Sequence, residues 1–221
     1  MKTKILLTIF IILLFTACQT TSRTQEKKSF SQLLLDRQNY KIESTQENIE
    51  PKESQSEWQA DVDYDGQNEK IVLENNALKV YKDNQEIWKT SEEWVVANVI
   101  IDDLNQDSEI EINFSVEKVR GRYRKNKVFE ESDEEVSCFY IFKWRNNKIE
   151  PAWLSSPVDN KINKVIALDI NNDSEKELAV LEKEGYLSIW SWNGWGFSND
   201  FRSEENGFED IVEKDNKIYV R

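Results

Sequence analysis

Histidine is absent from the 221 residues. That removes the commonest general base and the commonest zinc ligand together, so neither a Ser–His nor a Cys–His pair is available for nucleophilic catalysis. Cysteine is limited to Cys18 and Cys138. Glycine numbers six, and no Gly-rich phosphate loop occurs among them. No segment sustains a 3.6-residue apolar period long enough for a helix. The longest apolar run, Ile5 to Phe15, is too short to span a bilayer, which takes about 20 residues. Positive charge is also in deficit, with 29 Lys+Arg against 42 Asp+Glu. That balance argues against DNA, RNA or an anionic lipid surface as the main partner, and it suits cations or basic partners.

What is present is an acidic nonapeptide in three copies. It begins at Asp61, Asp103 and Asp169. Oxygen side chains stand at positions 1, 3, 5 and 9: Asp61, Asp63, Asp65 and Glu69; Asp103, Asn105, Asp107 and Glu111; Asp169, Asn171, Asp173 and Glu177. Each copy leads directly into an apolar run, such as Ile71-Val72-Leu73. Alternating oxygen ligands on a tight loop suit a hard cation such as Ca²⁺. An EF-hand is excluded, because its twelfth position must be a bidentate Glu and here holds Val72, Phe114 or Val180. The first copy carries the most charge and has Gly66 at the sharp turn. The others place Ser108 and Ser174 there, a strained choice if φ is positive. The alternative is that these side chains only cap turns by accepting from backbone amides. Even with Ca²⁺ bound, the expected role is to staple a strand connection rather than to catalyse.

The repeat extends beyond the loop. Each copy is followed by an aromatic hairpin: Leu78 to Trp88, Phe139 to Trp153, and Leu187 to Phe197. Asn75-Asn76, Asp83-Asn84, Asn146-Asn147 and Asn193-Gly194 are turn signals of the kind hairpins use. Asp61 to Val80 spans 19 residues and Asp169 to Ile189 spans 20, whereas Asp103 to Ile141 spans 38, so the middle unit carries an insertion, placed at Glu117 to Glu135. A last hairpin pairs Ile211-Val212 with Lys217 to Val220. The expected fold class is therefore all-β, with four-stranded units of the kind that repeat radially in a β-propeller. From about Trp58 to Phe201 the chain resembles the FG-GAP or VCBS-type repeats of integrin-α-like propellers, whose loop has the same acidic spacing before an apolar strand. The resemblance implies a propeller of small blades with calcium in the loops. This chain departs in keeping the loop glycine only at Gly66 and in having three units plus a hairpin. Either that hairpin and the N-terminal residues complete a fourth blade, or the array stays open.

The N-terminus sets the expected compartment. Lys2 and Lys4 precede Ile5 to Phe15, then Thr16-Ala17-Cys18, which reads as a secretory signal over residues 1–17. Cys18 after Ala17 resembles the lipobox of bacterial lipoproteins, with Phe15 departing from the usual Leu. The resemblance implies cleavage before Cys18 and its lipidation. Loss of Lys2 and Lys4 leaves 27 basic against 42 acidic residues, a net of −15. Gln19 points to an outer membrane where there is one, and otherwise to the outer side of a single membrane. Residues 18–56 are polar and read as a flexible tether; residues 57–221 form the repeat domain. Cys138 is then the one remaining thiol, expected to be a small buried strand residue.

Two surfaces are candidates for ligands. The insertion carries Arg120, Arg122, Arg124, Lys125 and Lys127 ahead of the acidic run Glu130 to Glu135. On a hairpin these runs pair across strands; alternatively the basic arm contacts phosphate or sulfate groups or an acidic partner. Trp190, Trp192 and Trp195 with Phe197 either pack between units or form a carbohydrate-stacking platform. The resulting expectation is a non-enzymatic binding module, lipid-anchored, for an envelope protein or glycan. The alternatives are a carboxylate-based envelope hydrolase or a structural factor without a small ligand.

Overall fold

A computed structural model describes residues 42–44, 56–125, 128–215 and 217–221. The signal segment, Cys18 and most of the expected tether lie outside these residues. The described residues form fifteen strands and no helix.

Three four-stranded antiparallel sheets follow one another along the chain. The first contains β2 (Glu57–Ala60), β3 (Glu69–Glu74), β4 (Ala77–Lys82) and β5 (Gln85–Lys89). The second contains β6 (Val95–Asp102), β7 (Glu111–Lys125), β8 (Val128–Arg145) and β9 (Lys148–Leu154). The third contains β10 (Ile162–Leu168), β11 (Glu177–Glu182), β12 (Leu187–Trp192) and β13 (Phe197–Arg202). Within each sheet the strands pair in sequence order. Tight turns dictate that order. Asn75-Asn76, Asp83-Asn84 and Asn146-Asn147 hold φ between 50° and 63° at both central positions. This is the left-handed pair that a two-residue hairpin needs, and Asn and Asp tolerate it.

A fourth sheet has the order β1-β15-β14, from β14 (Ile211–Lys214), β15 (Lys217–Val220) and β1 (Ile42–Ser44). The terminal hairpin expected from sequence is thus present, and an N-terminal segment joins it in parallel, Ile42 opposite Ile218 and Ser44 opposite Val220. Residues 42–44, within the segment read as tether, thus form a strand beside that hairpin. An unpaired β15 edge would leave backbone groups open, and three residues suffice to cover it.

Apolar alternation then packs consecutive sheets. β8 is the shared wall: Cys138, Tyr140 and Phe142 join the core against the first sheet, while Phe139 belongs to a cluster against the third. Cys138 is buried and free, as expected. The first junction is aromatic and closed, with Trp88–Phe142 and Phe114–Phe142 centroids 5.2 and 5.5 Å apart. Offset and edge contacts of this kind add about 0.5–1.5 kcal/mol each beyond burial. A third cluster joins Leu181, Ile189 and Phe201 of the third sheet to Ile211 and Ile218 of the fourth. Between the second and third sheets, Asn98 (φ 49°) sits in a β-bulge of β6. Its amide donates to Asn163 O at 3.2 Å, and its oxygen accepts from Val165 N at 3.2 Å. The insertion at Glu117 to Glu135 lengthens the β7–β8 ladder out to Lys125 opposite Val128.

Candidate functional site

The acidic loops connect the first and second strands of the three four-stranded sheets, and they share one hydrogen-bond scheme. The position-1 carboxylate accepts from two backbone amides: Asp61 from Asp65 and Gly66, Asp103 from Asp107 and Ser108, Asp169 from Asp173 and Ser174, at 2.8–3.2 Å. Position 3 accepts from the position-5 amide, and position 5 from the position-7 amide. The position-9 glutamates open β3, β7 and β11 and are buried. Each accepts from the position-2 amide: Val62, Leu104 and Ile170 at 3.0, 3.1 and 2.8 Å. The turn-capping role is therefore realised in all three copies. Position 6 has positive φ throughout, 89° at Gly66, 67° at Ser108 and 75° at Ser174. The two serines thus occupy a conformation that costs a side-chain-bearing residue about 1 kcal/mol or more.

The copies differ in what lies among the carboxylates. In each sheet the residue after position 9 pairs with an aromatic on the third strand: Lys70 with Tyr81, Ile112 with Phe142, Leu178 with Trp190. The next residue is Lys82, Lys143 or Ser191. The Lys82 ammonium bonds to Asp63, donates to Asp65 at 2.6 Å and lies 3.7 Å from Glu69 Oε1. Lys143, almost fully buried, bonds to Asp107 and Glu109. In the third loop, Ser191 turns to Asp200 instead, and the Asn171 amide donates to Asp173 and Glu177, both at 2.8 Å.

Electrostatics follows these contacts. Bonds to Asp63 and Asp65 hold Lys82 well above its ordinary range, and the same bond draws Asp65 down. Burial alone would lower Lys143, but its bonds to Asp107 and Glu109 outweigh that and raise it. Burial pushes Glu69 up, and it lifts Glu111 and Glu177 to about 7. Carboxylate oxygens of Asp61, Asp63 and Asp65, and of Asp103, Asp107 and Glu111, lie within 4.8 Å of one another in each set, close enough to hold a metal ion. Glu111 Oε1 is buried without a hydrogen-bond partner. The loops also touch. Tyr64 of the first accepts from Ile110 N of the second, and Gln106 of the second donates to Glu175 of the third at 2.9 Å. One acidic rim results.

A separate cavity of about 500 Å³ opens between the second and third sheets. Phe139, Trp153, Trp190 and Phe197 line it, with Ser188 and Asn199 as polar groups. Glu182 and Arg202 also line it, joined by a bidentate pair of 2.6–3.0 Å, and the Arg202 guanidinium lies 3.7 Å from the Tyr186 ring centroid. Trp195 stands at the opening, 76% exposed, on the β12–β13 turn that Asn193 holds by accepting from Trp195 N and Gly196 N. Gly196 packs on the Trp153 indole, where a Cβ would come within 3.1 Å. The tryptophan group from the sequence therefore divides: Trp190 and Trp195 line the cavity, while Trp192 stacks edge-on with Trp153 and Phe197.

On the insertion arm, Arg120 pairs with Glu134 at 2.8 Å and Arg122 lies opposite Glu131, as cross-strand pairing predicts. Arg122 also covers the exposed Phe129 ring at 4.6 Å. The side chains of Arg124 and Lys125, and residue Lys127, lie outside what is described. Sequence reasoning missed Lys82 and Lys143, although both follow the aromatic of their hairpin, and it missed the cavity. No family model matches the chain, and no curated protein matches it. Among the described residues no helix is long and apolar enough to cross a membrane.

Proposed function

We propose that the chain is an exported, lipid-anchored binding module. In this reading the four sheets are the blades of a small propeller-like domain, closed by β1 on β15, and Cys18 carries the lipid. The ligand surface is the aromatic cavity between the second and third sheets. One observation carries this reading: a cavity within the usual 300–1,000 Å³ range of ligand sites, walled by aromatic rings and furnished with a few polar groups, beneath an exposed tryptophan. Flat rings with short hydroxyl and amide groups suit a sugar chain, so an envelope glycan is favoured over an envelope protein. The test is a tryptophan-fluorescence titration with soluble amino-sugar oligosaccharides. Saturable quenching that Trp195→Ala abolishes supports the reading; no response at millimolar sugar overturns the glycan assignment.

The hydrolase alternative would draw on Glu182 in the same cavity. Arg202 holds both of its oxygens, which favours binding over proton transfer. A structural Ca²⁺ is a second reading, and the second loop favours it. Asp103, Asp107 and Glu111 converge there, and Glu111 presents an unpartnered buried oxygen. In that reading Ca²⁺ would hold the loop in place and supply no chemistry to the cavity.

A further inference from the structure

We infer that Lys82 is the resident cation of the first acidic loop, occupying the place that the loop's ligand pattern offers to a divalent metal. The loop presents Asp61, Asp63, Asp65 and Glu69 at the alternate positions a hard cation requires. Lys82 reaches three of these four: it bonds to Asp63 and Asp65, and its Nζ lies 3.7 Å from Glu69 Oε1. Glu69 is fully buried, and that oxygen has no hydrogen-bond donor of its own, so the ammonium is the positive charge facing it. Asp63 is itself nearly buried, with a side chain 6% exposed, and would be costly to leave uncompensated.

The other loops serve as internal controls. Lys143 occupies the equivalent site on β8, yet it bonds to Asp107 and to Glu109, which is outside the ligand pattern, and forms no ion pair with Glu111 like the 3.7 Å one between Lys82 and Glu69. At the third loop the equivalent residue is Ser191, and a neutral amide lies among the carboxylates. Only in the first loop does a tethered charge bridge positions 3, 5 and 9. A divalent ion entering there must displace a lysine that the chain itself supplies at very high effective concentration. The loop with the most carboxylates is thereby the one least available to Ca²⁺. This inference does not rest on the cavity's ligand.

The test is calcium calorimetry and thermal melting on the whole chain, wild type against Lys82→Met. The expected result is one more Ca²⁺ bound per chain in Lys82→Met, with a Ca²⁺-dependent rise in Tm of roughly 5 °C that the first loop of the wild type lacks. Asp61→Asn in the Lys82→Met background should remove that extra ion, and Asp61→Asn in the wild type should leave stoichiometry unchanged. A wild type that loses one bound Ca²⁺ on Asp61→Asn overturns the inference. So does a Lys82→Met chain that gains no ion, or one that fails to fold and is not restored by millimolar Ca²⁺. Sugar binding, read separately through Trp195, stands or falls on its own.

Discussion

The junction of the first and second sheets and that of the second and third are both built on aromatic rings, yet the first packs its rings against one another and the second leaves a cavity beside them. At the first, Trp88, Trp94, Phe114, Tyr140 and Phe142 interlock with centroids 5.2–6.5 Å apart. At the second, Phe139, Trp153, Trp192 and Phe197 also touch, but Ser188 stands at the strand position that Tyr140 holds in the first, and Ser155, like its counterpart Thr90, is small. The hydroxyls are already engaged: Ser155 accepts from Phe139 N at 2.9 Å, and Ser188 from Trp190 Nε1 at 2.9 Å. Small, satisfied polar residues keep the space open without stranding a donor. Aromatic content alone therefore does not decide between core and site; the residues that stand beside the aromatics do.

The largest expected effect lies in the closed junction. Phe114→Ala should cost about 3–5 kcal/mol in urea-induced unfolding, because a fully buried ring is lost from a filled core. A cost below about 1 kcal/mol would mean that this junction is as loosely packed as the other. Next comes a property the second and third sheets share. Burial raises Glu111 and Glu177 from 4.5 to about 7. A carboxyl whose folded pKa is raised contributes stability that is complete below about pH 4.5 and is lost as pH climbs through about 7. The loss should be on the order of 2 kcal/mol for each glutamate, seen as a falling urea midpoint between pH 5 and 8. Glu111→Gln and Glu177→Gln should each flatten that slope by about half; an unchanged slope would locate the titration elsewhere.

Ser108→Gly and Ser174→Gly should each stabilise by about 0.5–1 kcal/mol in the same measurement, since both serines hold a positive φ that glycine adopts freely. Gly66→Ser should do the reverse, and nothing else opposes it, as no atom lies within 4 Å of the added Cβ. The smallest effect belongs to the open junction. Trp195→Ala should change unfolding free energy by less than about 0.5 kcal/mol, because the ring is mostly in solvent. A clearly larger loss would make Trp195 a packing residue and weaken the case for the cavity as a ligand site.

Legibility in the sequence tracks the range of each interaction. The nonapeptide, the strand that follows it and the Asn-Asn turns are local, so spacing alone located them and the four-strand unit they punctuate. The positive φ at position 6 was equally readable from Gly66, with Ser108 and Ser174 as the strained variants. Lys82 and Lys143 escaped notice because they meet their loops across a ladder, 19 residues after Asp63 and 36 after Asp107. The cavity escaped because it depends on side-chain volume between two sheets, which no periodicity encodes. That N-terminal residues join the last hairpin was one of two open readings, but Ile42–Ser44 could not be singled out, because a three-residue strand carries too little pattern to stand out from polar chain and its partner β15 lies far along the sequence.

That last pairing has a consequence for how the molecule is made. Hydrogen bonds between Ile42–Ser44 and Ile218–Val220 join residues separated by nearly the whole described chain. The first three sheets can zip up one after another from neighbouring strands as the polypeptide emerges, whereas the fourth must wait until the final strand has been synthesised. Until then the β10–β13 face that Ile211 and Ile218 cover stays open, and any chaperone guarding the nascent protein has its longest task there.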